Sequence, residues 1–328
     1  MPRDVARPTI VIAAANGFLG RHATAAFLHA GYDVHALARP GRENDAIQHP
    51  RVTVHPWDGK TLGPWADTLD GAAAVLNLAG RTVDCIKNKR NIRQIFRSRT
   101  DSVRVLGEAC RAVINPPPVW LQAGTAHILG DPDPPDTICD DNTQPPDFGM
   151  APKVGLAWEA ALQHALLPNQ RGVMLRISFV LGPDDGALQR LVPLTKAFLG
   201  GTVGHGNQYM SWLHIEDLNR LWLTALDDAR YHGPILATAP NPVTNRVFMR
   251  ELRRACRRPW SPPAPALGVK LIAPLLMKTD PELALLGRRI LPTKLQQLGF
   301  TFNHPELRPA LTQVMSQWQH PPALPAQP

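Results

Sequence analysis

Short apolar runs alternate with helix-length amphipathic stretches through the first half of this 328-residue chain. The apolar runs have the length of buried strands, and each is followed by enough residues for a crossover helix. The predicted strands are TIVIAAA, YDVHALAR, RVTVHPW, GAAAVLNLAG, PVWLQAG and GVMLRISFVLG, and the predicted helices include GRHATAAFLHAG, Asn91 to Val113 and KVGLAWEAALQHALL. This rhythm predicts an α/β fold built on a doubly wound parallel sheet.

The rhythm breaks beyond Gly182, where GGTVGHGNQ, the segment SWLHIEDL and a proline-rich tail follow. Such glycine- and proline-rich segments are typical of a smaller lobe over the carboxyl edge of the sheet, where ligands bind in these folds. We therefore predict a nucleotide-binding domain over residues 1–182, with a return segment near 211–240. Residues 183–328 are predicted to form a smaller substrate-binding lobe and a C-terminal tail.

The net charge of +8 comes mainly from 27 arginines against 8 lysines, and these are scattered along the chain apart from one cluster. The scattered positive charge indicates small anionic ligands. The sequence has no nucleic-acid recognition motif, which argues against a nucleic-acid partner. The four cysteines share no metal or disulfide spacing, so neither a metal site nor a disulfide framework is predicted. No apolar run is long enough for a membrane span, and we expect a cytoplasmic protein; the oligomeric state is left open.

The segment TIVIAAANGFLGRH has the order strand, glycine-containing turn, helix. In dinucleotide-binding turns the glycines allow a tight turn and a close approach of the backbone to the pyrophosphate, which sits at the helix N-terminus. Here Gly17 and Gly20 are present, whereas Ala14 stands where the first glycine is expected. If that position needs a positive φ, alanine costs roughly 1–2 kcal/mol there. The alternative interpretation is an ordinary strand-to-helix turn.

The end of the second predicted strand distinguishes the two nicotinamide cofactors. An acidic residue about 20 residues after the turn binds the ribose of NAD, whereas an arginine accommodates the 2′-phosphate of NADP. This chain has Arg39 and Arg42 there and no acidic residue. The sequence therefore favours NADP(H), unless both arginines are only solvated surface charges.

Several longer segments together resemble the extended short-chain dehydrogenase/reductases over nearly the whole chain. These segments include ANGFLG, SRTDSVRVLGEA, LRISFVLGPDDGALQRL, GHGNQYMSWLHIEDL and GRRILPTKLQQLGFTFNHPELRPAL. More narrowly, they are similar to an atypical epimerase-like subfamily, labelled 39U or cell-division-inhibitor-like, with a C-terminal DUF1731-type region. The resemblance implies an NADP(H)-binding Rossmann lobe and a small C-terminal lobe.

The resemblance also implies which residues contact the cofactor. In it, Arg39 would bind the 2′-phosphate, Asp58 the adenine, and Arg176 would lie near the nicotinamide. The residues implied at the pyrophosphate and under the cofactor are Asn16, Gly17, Phe18, Leu19, Gly20, Leu78, Ala79 and Gly80. The departures are Ala14 for glycine and Ala13 for the usual threonine.

Hydride-transferring members of this family use a Tyr-x-x-x-Lys pair one helical turn apart, in which the lysine lowers the pKa of the tyrosine. No tyrosine of this chain has a lysine four residues on. In the helix aligned on AWEAA, the tyrosine position is Ala151 and the lysine position is Gly155. Lys153 lies on another face and is interpreted as a solvated lysine near the helix start.

Other residues are candidates for the catalytic and substrate-binding roles. Thr125, at the end of the fifth predicted strand, is the candidate hydroxyl that orients a substrate oxygen, and His127 beside it is a candidate general acid or base. Gln208 and Trp212 are the candidate substrate contacts in the segment GHGNQYMSWLHIEDL. For His214 and Asp217 in the same segment, a satisfied core residue and a helix cap are equally good interpretations.

The sequence leaves two functions open. The first is an NADP(H)-dependent oxidoreductase or epimerase-like enzyme that acts on a small polar substrate with an atypical proton donor. The second is a non-catalytic nucleotide-binding sensor or scaffold. The absent tyrosine–lysine pair favours the second, and the polar segment around Gln208 favours the first.

Overall fold

The computed structural model describes residues 7–132, 134, 136–272, 274–275, 278 and 280–326. The β-strands in this part of the chain are β1 (Thr9–Ala13), β2 (Asp33–Ala38), β3 (Val52–Pro56), β4 (Ala74–Asn77), β5 (Val119–Thr125), β6 (Ile138–Cys139), β7 (Arg171–Ile177), β8 (Phe179–Leu181), β9 (Tyr209–Met210), β10 (Trp212–His214), β11 (Gly233–Ala237), β12 (Val243–Thr244) and β13 (Arg289–Ile290).

The α-helices in the same residues are α1 (Phe18–His29), α2 (Lys89–Ala112), α3 (Met150–Ala165), α4 (Leu188–Lys196), α5 (Ile215–Asp227), α6 (Asn245–Ala255), α7 (Ala266–Ile272), α8 (Glu282–Leu285), α9 (Thr293–Gln297) and α10 (Leu307–Ser316). Short 3-10 helices lie at Glu43–Asp45, Pro64–Leu69 and Ala126–Leu129. No helix in the described residues combines the length and the apolar character that a membrane crossing requires.

Seven strands form one sheet in the order β11-β7-β5-β4-β1-β2-β3. Every neighbouring pair in this sheet is parallel. The chain builds β2 and β3 on one side of β1 and then returns to build β4 and β5 on the other side. The strand order therefore reverses between β1 and β4, which is where folds of this kind bind ligands. The predicted doubly wound parallel sheet is confirmed.

The central strands are buried on both faces beneath helices. Ile10 and Ile12 of β1 are fully buried, and so is Val11, whose side chain points to the opposite face. Val75 and Leu76 of β4 are likewise fully buried. Burial on both faces explains why the strands of this sequence are continuous apolar runs rather than alternating patterns.

The prediction of GVMLRISFVLG as a single strand is wrong. β7 ends at Ile177, and the chain turns away at Ser178, whose backbone N–H donates to the carbonyl of Ala237. β8 then pairs in parallel with β10 in a separate two-stranded sheet. The apolar run gives no sign of this change, because residues on both sides of the turn are buried. Ile177 belongs to a first apolar cluster, and Leu181 belongs to a second one.

The second apolar cluster lies beyond the large sheet. It is formed chiefly by buried side chains of α4, α6 and α10, among them Leu188, Val192, Phe248, Leu252, Leu311 and Val314. Trp212 of β10 joins this cluster and is fully buried. The residues of α4, α6 and α10 fall within the predicted smaller lobe, whereas Trp212 falls in the predicted return segment. The boundary near residue 182 and the division into two domains stay a prediction.

Candidate functional site

The turn between β1 and α1 has the tight geometry that the sequence predicted. Ala14 adopts a φ of 61°, so the alanine stands in the left-handed region that favours glycine. Its carbonyl oxygen accepts a hydrogen bond from the N–H of Gly17 at 3.0 Å. Gly17 is the N-cap of α1, whose first turn has neither a capping side chain nor an acidic residue. The N-terminus of α1 is therefore suited to an anionic group such as a pyrophosphate.

The loop that follows β8 is held against α1. The carboxylate of Asp184 bonds the Nε2 atom of His22 at 2.7 Å and accepts a hydrogen bond from Arg21 at 3.1 Å. The ring of Phe18 fills the space beside Gly182, where a Cβ atom would lie 2.4 Å from the ring. These contacts fix the first turn of α1 and the position of Phe18.

Arg39 and Asp58 lie beyond the carboxyl ends of β2 and β3. The guanidinium of Arg39 is exposed and makes no hydrogen bond or ion pair with another residue of the described chain. Arg42 is instead paired with Asp45. Arg39 is thus the better placed of the two arginines to bind an added phosphate.

The carboxylate of Asp58 organises the turn after β3. It accepts hydrogen bonds from the N–H groups of Lys60 and Thr61 at 2.8 and 2.9 Å. Partial burial raises the pKa of this carboxyl, but the hydrogen bonds from Thr61 and Lys60 outweigh that effect and keep the pKa below its usual value. A contact of Asp58 with adenine stays a prediction.

The segment Leu78–Ala79–Gly80 continues from β4 across the edge of the sheet. The side-chain oxygen of Asn77 accepts a hydrogen bond from the N–H of Ala79 at 3.0 Å, and its amide nitrogen donates to Gln122 at 3.0 Å. Both amide side chains are fully buried. Sequence reasoning missed this pair, although each amide is a polar residue inside a predicted apolar strand, a signal that could have identified it.

A cavity of about 680 Å³ opens beside this edge. Its wall combines the predicted cofactor residues Phe18, Leu19, Leu78 and Gly80 with Thr125 and His127, and it extends to α2, α3 and the segment around α8. The structure therefore brings residues of the predicted nucleotide turn and the candidate catalytic residues Thr125 and His127 to the same cavity.

Thr125 is both a local cap and a cavity residue. Its Oγ1 atom accepts a hydrogen bond from the N–H of His127 at 3.2 Å, which caps the short helix Ala126–Leu129. The hydroxyl proton remains available for a second partner in the cavity.

The imidazole of His127 is half-buried in the cavity wall. Burial lowers the pKa of His127 well below its ordinary value, and the positive charges of Arg288 and Lys87 lower it further. His127 is therefore neutral at physiological pH. It can accept a hydrogen bond there, but the same burial and positive charges oppose its protonation to an imidazolium.

The helix α3 has no room for the missing lysine. Ala151, at the tyrosine position, lines the cavity. A Cβ atom on Gly155, at the lysine position, would lie 2.7 Å from the side chain of Ile128. Lys153 is exposed and does not line the cavity, which agrees with its interpretation as a solvated lysine near the helix start.

The side chains of three predicted ligand contacts, Arg176, Gln208 and Trp212, are held by other protein groups outside the cavity lining. The guanidinium of Arg176 is buried in a bidentate ion pair with Glu159, at 2.7 and 2.9 Å, so it faces α3 rather than a nicotinamide. Gln208 is buried and donates to the carbonyls of Val203 and Ala284. Trp212 is buried in the second apolar cluster. In this structure these side chains are engaged by other parts of the protein, and a ligand contact of Arg176, Gln208 or Trp212 stays a prediction.

Sequence reasoning missed other side chains that do line the cavity. Arg99 of α2 places its guanidinium 4.8 Å from the ring centroid of Trp158 in α3. Tyr209 of β9 lines the far side, with the guanidinium of Arg289 over its ring at 5.2 Å. Arg99 stands in the arginine-rich segment RQIFRSRTDSVR, which in the sequence is only a charge cluster. Its tertiary environment alone distinguishes it from its neighbours.

His214, Glu216 and His304 bring possible metal-ligand atoms within 4.8 Å of one another. Both ring nitrogens of His214 are already engaged, one by the N–H of Glu216 and the other by the side chain of Gln313. Gln313 also donates to Glu216, and His304 bonds the second oxygen of that carboxylate. The cluster is a closed hydrogen-bond network between α5 and the C-terminal segment, in line with the interpretation of His214 as a satisfied core residue.

Asp217 does not cap α5. Its carboxylate is fully buried and accepts hydrogen bonds from the N–H groups of Asn303 and His304, at 2.7 and 2.9 Å. The cap is His214, whose ring accepts from the N–H of Glu216. Asp217 thus anchors the C-terminal segment to α5.

Comparison with known proteins agrees with this architecture. The family model described as "NAD dependent epimerase/dehydratase family" matches residues 10–235, and "Domain of unknown function (DUF1731)" matches residues 264–314. The epimerase family protein YfhF of Bacillus subtilis is 29% identical over 94% of this chain and 98% of its own length. The epimerase family protein Mb2239 of Mycobacterium bovis is 30% identical over 94% of this chain and 97% of its own.

A solved structure shares the fold over nearly its whole length. The human epimerase family protein SDR39U1 (isoform 2), crystallised with NADPH, has a TM-score of 0.80 and 24% sequence identity, and the match covers 94% of this chain and 99% of that one. The sequence matches and the doubly wound sheet point to the same assignment. This chain belongs to the NAD dependent epimerase/dehydratase family, with a DUF1731 region at its C-terminus.

Proposed function

We propose that this chain binds NADP(H) along the carboxyl edge of β1, β2 and β4. The observation that carries the proposal is the turn at Gly17 and Gly20 together with the unpaired guanidinium of Arg39 at the end of β2, within the described residues. The uncapped N-terminus of α1 would bind the pyrophosphate and Arg39 the 2′-phosphate. The NADPH in the human SDR39U1 structure supports the same cofactor.

We propose further that the chain acts as an oxidoreductase or an epimerase-like enzyme on a small polar substrate. A bound nicotinamide supplies or accepts the hydride. Thr125 would orient the reacting oxygen by donating its hydroxyl proton as a hydrogen bond. His127, neutral in the cavity wall, would accept a hydrogen bond from the substrate. The proton that the reacting oxygen gains when a carbonyl is reduced, or loses when a hydroxyl is oxidised, would be exchanged with water in the cavity. Thr125 and His127 would act without a Tyr-x-x-x-Lys pair, because this chain has none.

A non-catalytic nucleotide-binding sensor or scaffold is the alternative function. It is favoured by α3, where Ala151 offers no proton and the side chain of Ile128 occupies the space beside Gly155. In both functions the protein binds a small molecule, and a cytoplasmic location without nucleic-acid partners stays a prediction.

Cofactor binding is tested by adding NADPH or NADH to the purified protein and following nicotinamide fluorescence and the melting temperature. We expect saturable binding with a preference for NADPH. No response to either nucleotide would overturn both functions, because each requires a bound nucleotide.

The two functions are separated by a panel of small carbonyl compounds, with the absorbance of the reduced nicotinamide as the readout. Turnover that falls at least about tenfold in Thr125→Ala, and returns in Thr125→Ser, supports the enzyme. Thr312→Ala is the matched control, since Thr312 is exposed on α10 away from the cavity. Intact NADPH binding with no turnover on the whole panel supports the sensor.

A further inference from the structure

The guanidinium of Arg99 lies against both Trp158 and Gly80. Its Cζ atom is 4.8 Å from the centroid of the Trp158 ring, and a Cβ atom at Gly80 would lie 3.3 Å from the same Cζ atom. Glycine at position 80 thus allows the backbone to approach the guanidinium closely. Arg99 is held rigidly in the cavity wall rather than free to move as a surface arginine does.

The hydrogen bonds of Arg99 use only one edge of its guanidinium. Nη1 donates to the carbonyl oxygens of Arg81 and Ile95, both at 3.1 Å. Nε is buried and has no acceptor among the described residues. Nη2 also lacks an acceptor in the described part of the chain, where no acidic side chain forms an ion pair with Arg99.

Arg176 shows what the same edge binds elsewhere in this protein. Its Nε and Nη2 atoms donate to the two oxygens of Glu159, at 2.7 and 2.9 Å. This fork is the geometry in which arginine recognises a carboxylate or a phosphate. In Arg99 the corresponding edge has no oxyanion from the described residues.

The charge of Arg99 differs from that of Arg288, another cation in the cavity wall. Arg288 is paired with Asp131, whereas no carboxylate of the described chain forms an ion pair with Arg99. Burial lowers the pKa of Arg99 to about 10, so the group stays charged at neutral pH. A buried charge without an anionic partner is costly, and an anion in the cavity would relieve that cost.

We propose that Arg99 binds an oxyanion of the substrate, a carboxylate or a phosphate, through Nη2, the donor of this edge that the described residues leave accessible. The proposal rests on the proposed function, because it places this oxyanion in the cavity that would receive the nicotinamide. It narrows the substrate from a small polar compound to a small anionic carbonyl or hydroxyl compound.

Calorimetric titration of the NADPH-saturated protein tests the proposal with malonate and inorganic phosphate as probes and neutral malonamide as the reference. We expect at least one oxyanion to bind, with malonamide weaker by about tenfold or more. Arg99→Gln should weaken oxyanion binding by about tenfold or more, and Arg99→Lys should lose part of it because lysine lacks the fork. Arg104→Gln is the matched control, since Arg104 is an exposed residue of α2 paired with Glu108.

The affinity for NADPH separates a substrate oxyanion from the pyrophosphate of the cofactor. If Arg99 binds substrate, the Kd for NADPH in Arg99→Gln stays within about threefold of the wild-type value. If NADPH binding falls as far as oxyanion binding, the partner of Arg99 is the cofactor and the proposal is overturned. It is also overturned if neither oxyanion binds more tightly than malonamide to NADPH-saturated wild-type protein. That result leaves cofactor binding intact, whereas failure of the proposed function would appear as no NADPH binding at all.

Discussion

Gly20 has no room for a side chain, because the carbonyl oxygen of Ala14 lies 2.4 Å from the position that a Cβ atom would occupy. The neighbouring backbone of Ala15 is almost as close, at 2.6 Å. Since both contacts are with backbone atoms, a side chain could fit only if the whole turn moved. The close approach of α1 to β1 therefore depends on this glycine.

Gly20→Ala is expected to destabilise the protein by roughly 1–3 kcal/mol, because the added methyl group forces the turn apart. Gly17→Ala is the matched control: its Cβ atom would lie 3.4 Å from the Ala14 oxygen, an ordinary contact, and its φ of −82° suits alanine. Urea denaturation of both variants checks the difference. Equal losses of stability would contradict the packing role of Gly20.

Ala14→Gly is expected to stabilise the protein by roughly 1 kcal/mol, because it removes the steric cost of alanine at a positive φ. Ala15→Gly is the control, since Ala15 is buried and has no positive φ, and the same change there should destabilise. Denaturation midpoints check the opposite signs. A loss of stability in Ala14→Gly would show that the left-handed conformation of Ala14 costs little in this turn.

Arg39→Ala is expected to weaken NADPH binding by about tenfold or more, because a hydrogen-bonded charge pair with the 2′-phosphate is lost. Binding of NADH, which lacks that phosphate, should change little. Arg42→Ala should leave both affinities nearly unchanged, since Arg42 pairs with Asp45. Fluorescence titration measures the Kd values of both nucleotides for the wild type and the two variants. A parallel loss of NADPH and NADH affinity would rule out specific recognition of the phosphate by Arg39.

The stability of the protein is expected to fall as the pH drops from about 6.5 towards 4, partly because of His214. Burial lowers the pKa of His214 from 6.5 to about 4, the charge of His304 lowers it further, and Glu216 and Gln313 oppose the shift. A folded-state pKa below the unfolded value means that the unfolded chain binds the proton first. The contribution of neutral His214 is therefore complete above pH 6.5 and is lost on acidification.

Melting temperatures of the wild type and His214→Asn across this pH range test the assignment. Asparagine keeps an acceptor for the N–H of Glu216 but does not titrate. We expect the variant to be less stable at pH 7 and to lose less stability on acidification. Parallel profiles would show that other groups account for the pH dependence, such as the carboxyl of Asp184, where burial raises the pKa but the bonds to His22 and Arg21 lower it below its usual value.

Local patterns in the sequence determined much of the nucleotide turn. The continuous apolar run before Gly17, and the spacing from Ala14 to Gly20, follow from steric rules that act over a few residues. The same rules gave a cost for Ala14 only if that position needs a positive φ, and the structure meets the condition with a φ of 61°. The position of Arg39 could also be predicted, because Arg39 directly follows a buried strand. The carboxyl end of that strand lies at the same edge of the sheet as the nucleotide turn.

The rest of the site depends on contacts between distant segments, which no local pattern contains. Arg176 and Trp212 look like ligand contacts in the sequence, yet Glu159 neutralises the first and the second apolar cluster buries the other. Arg99 looks like one more surface arginine, yet Gly80 and Trp158 hold it in the cavity wall. The sequence by itself therefore determined the parallel sheet and the nucleotide turn, because strand burial and backbone sterics are local. Only the tertiary structure decided which charged side chains are compensated, because each partner arrives from another part of the chain.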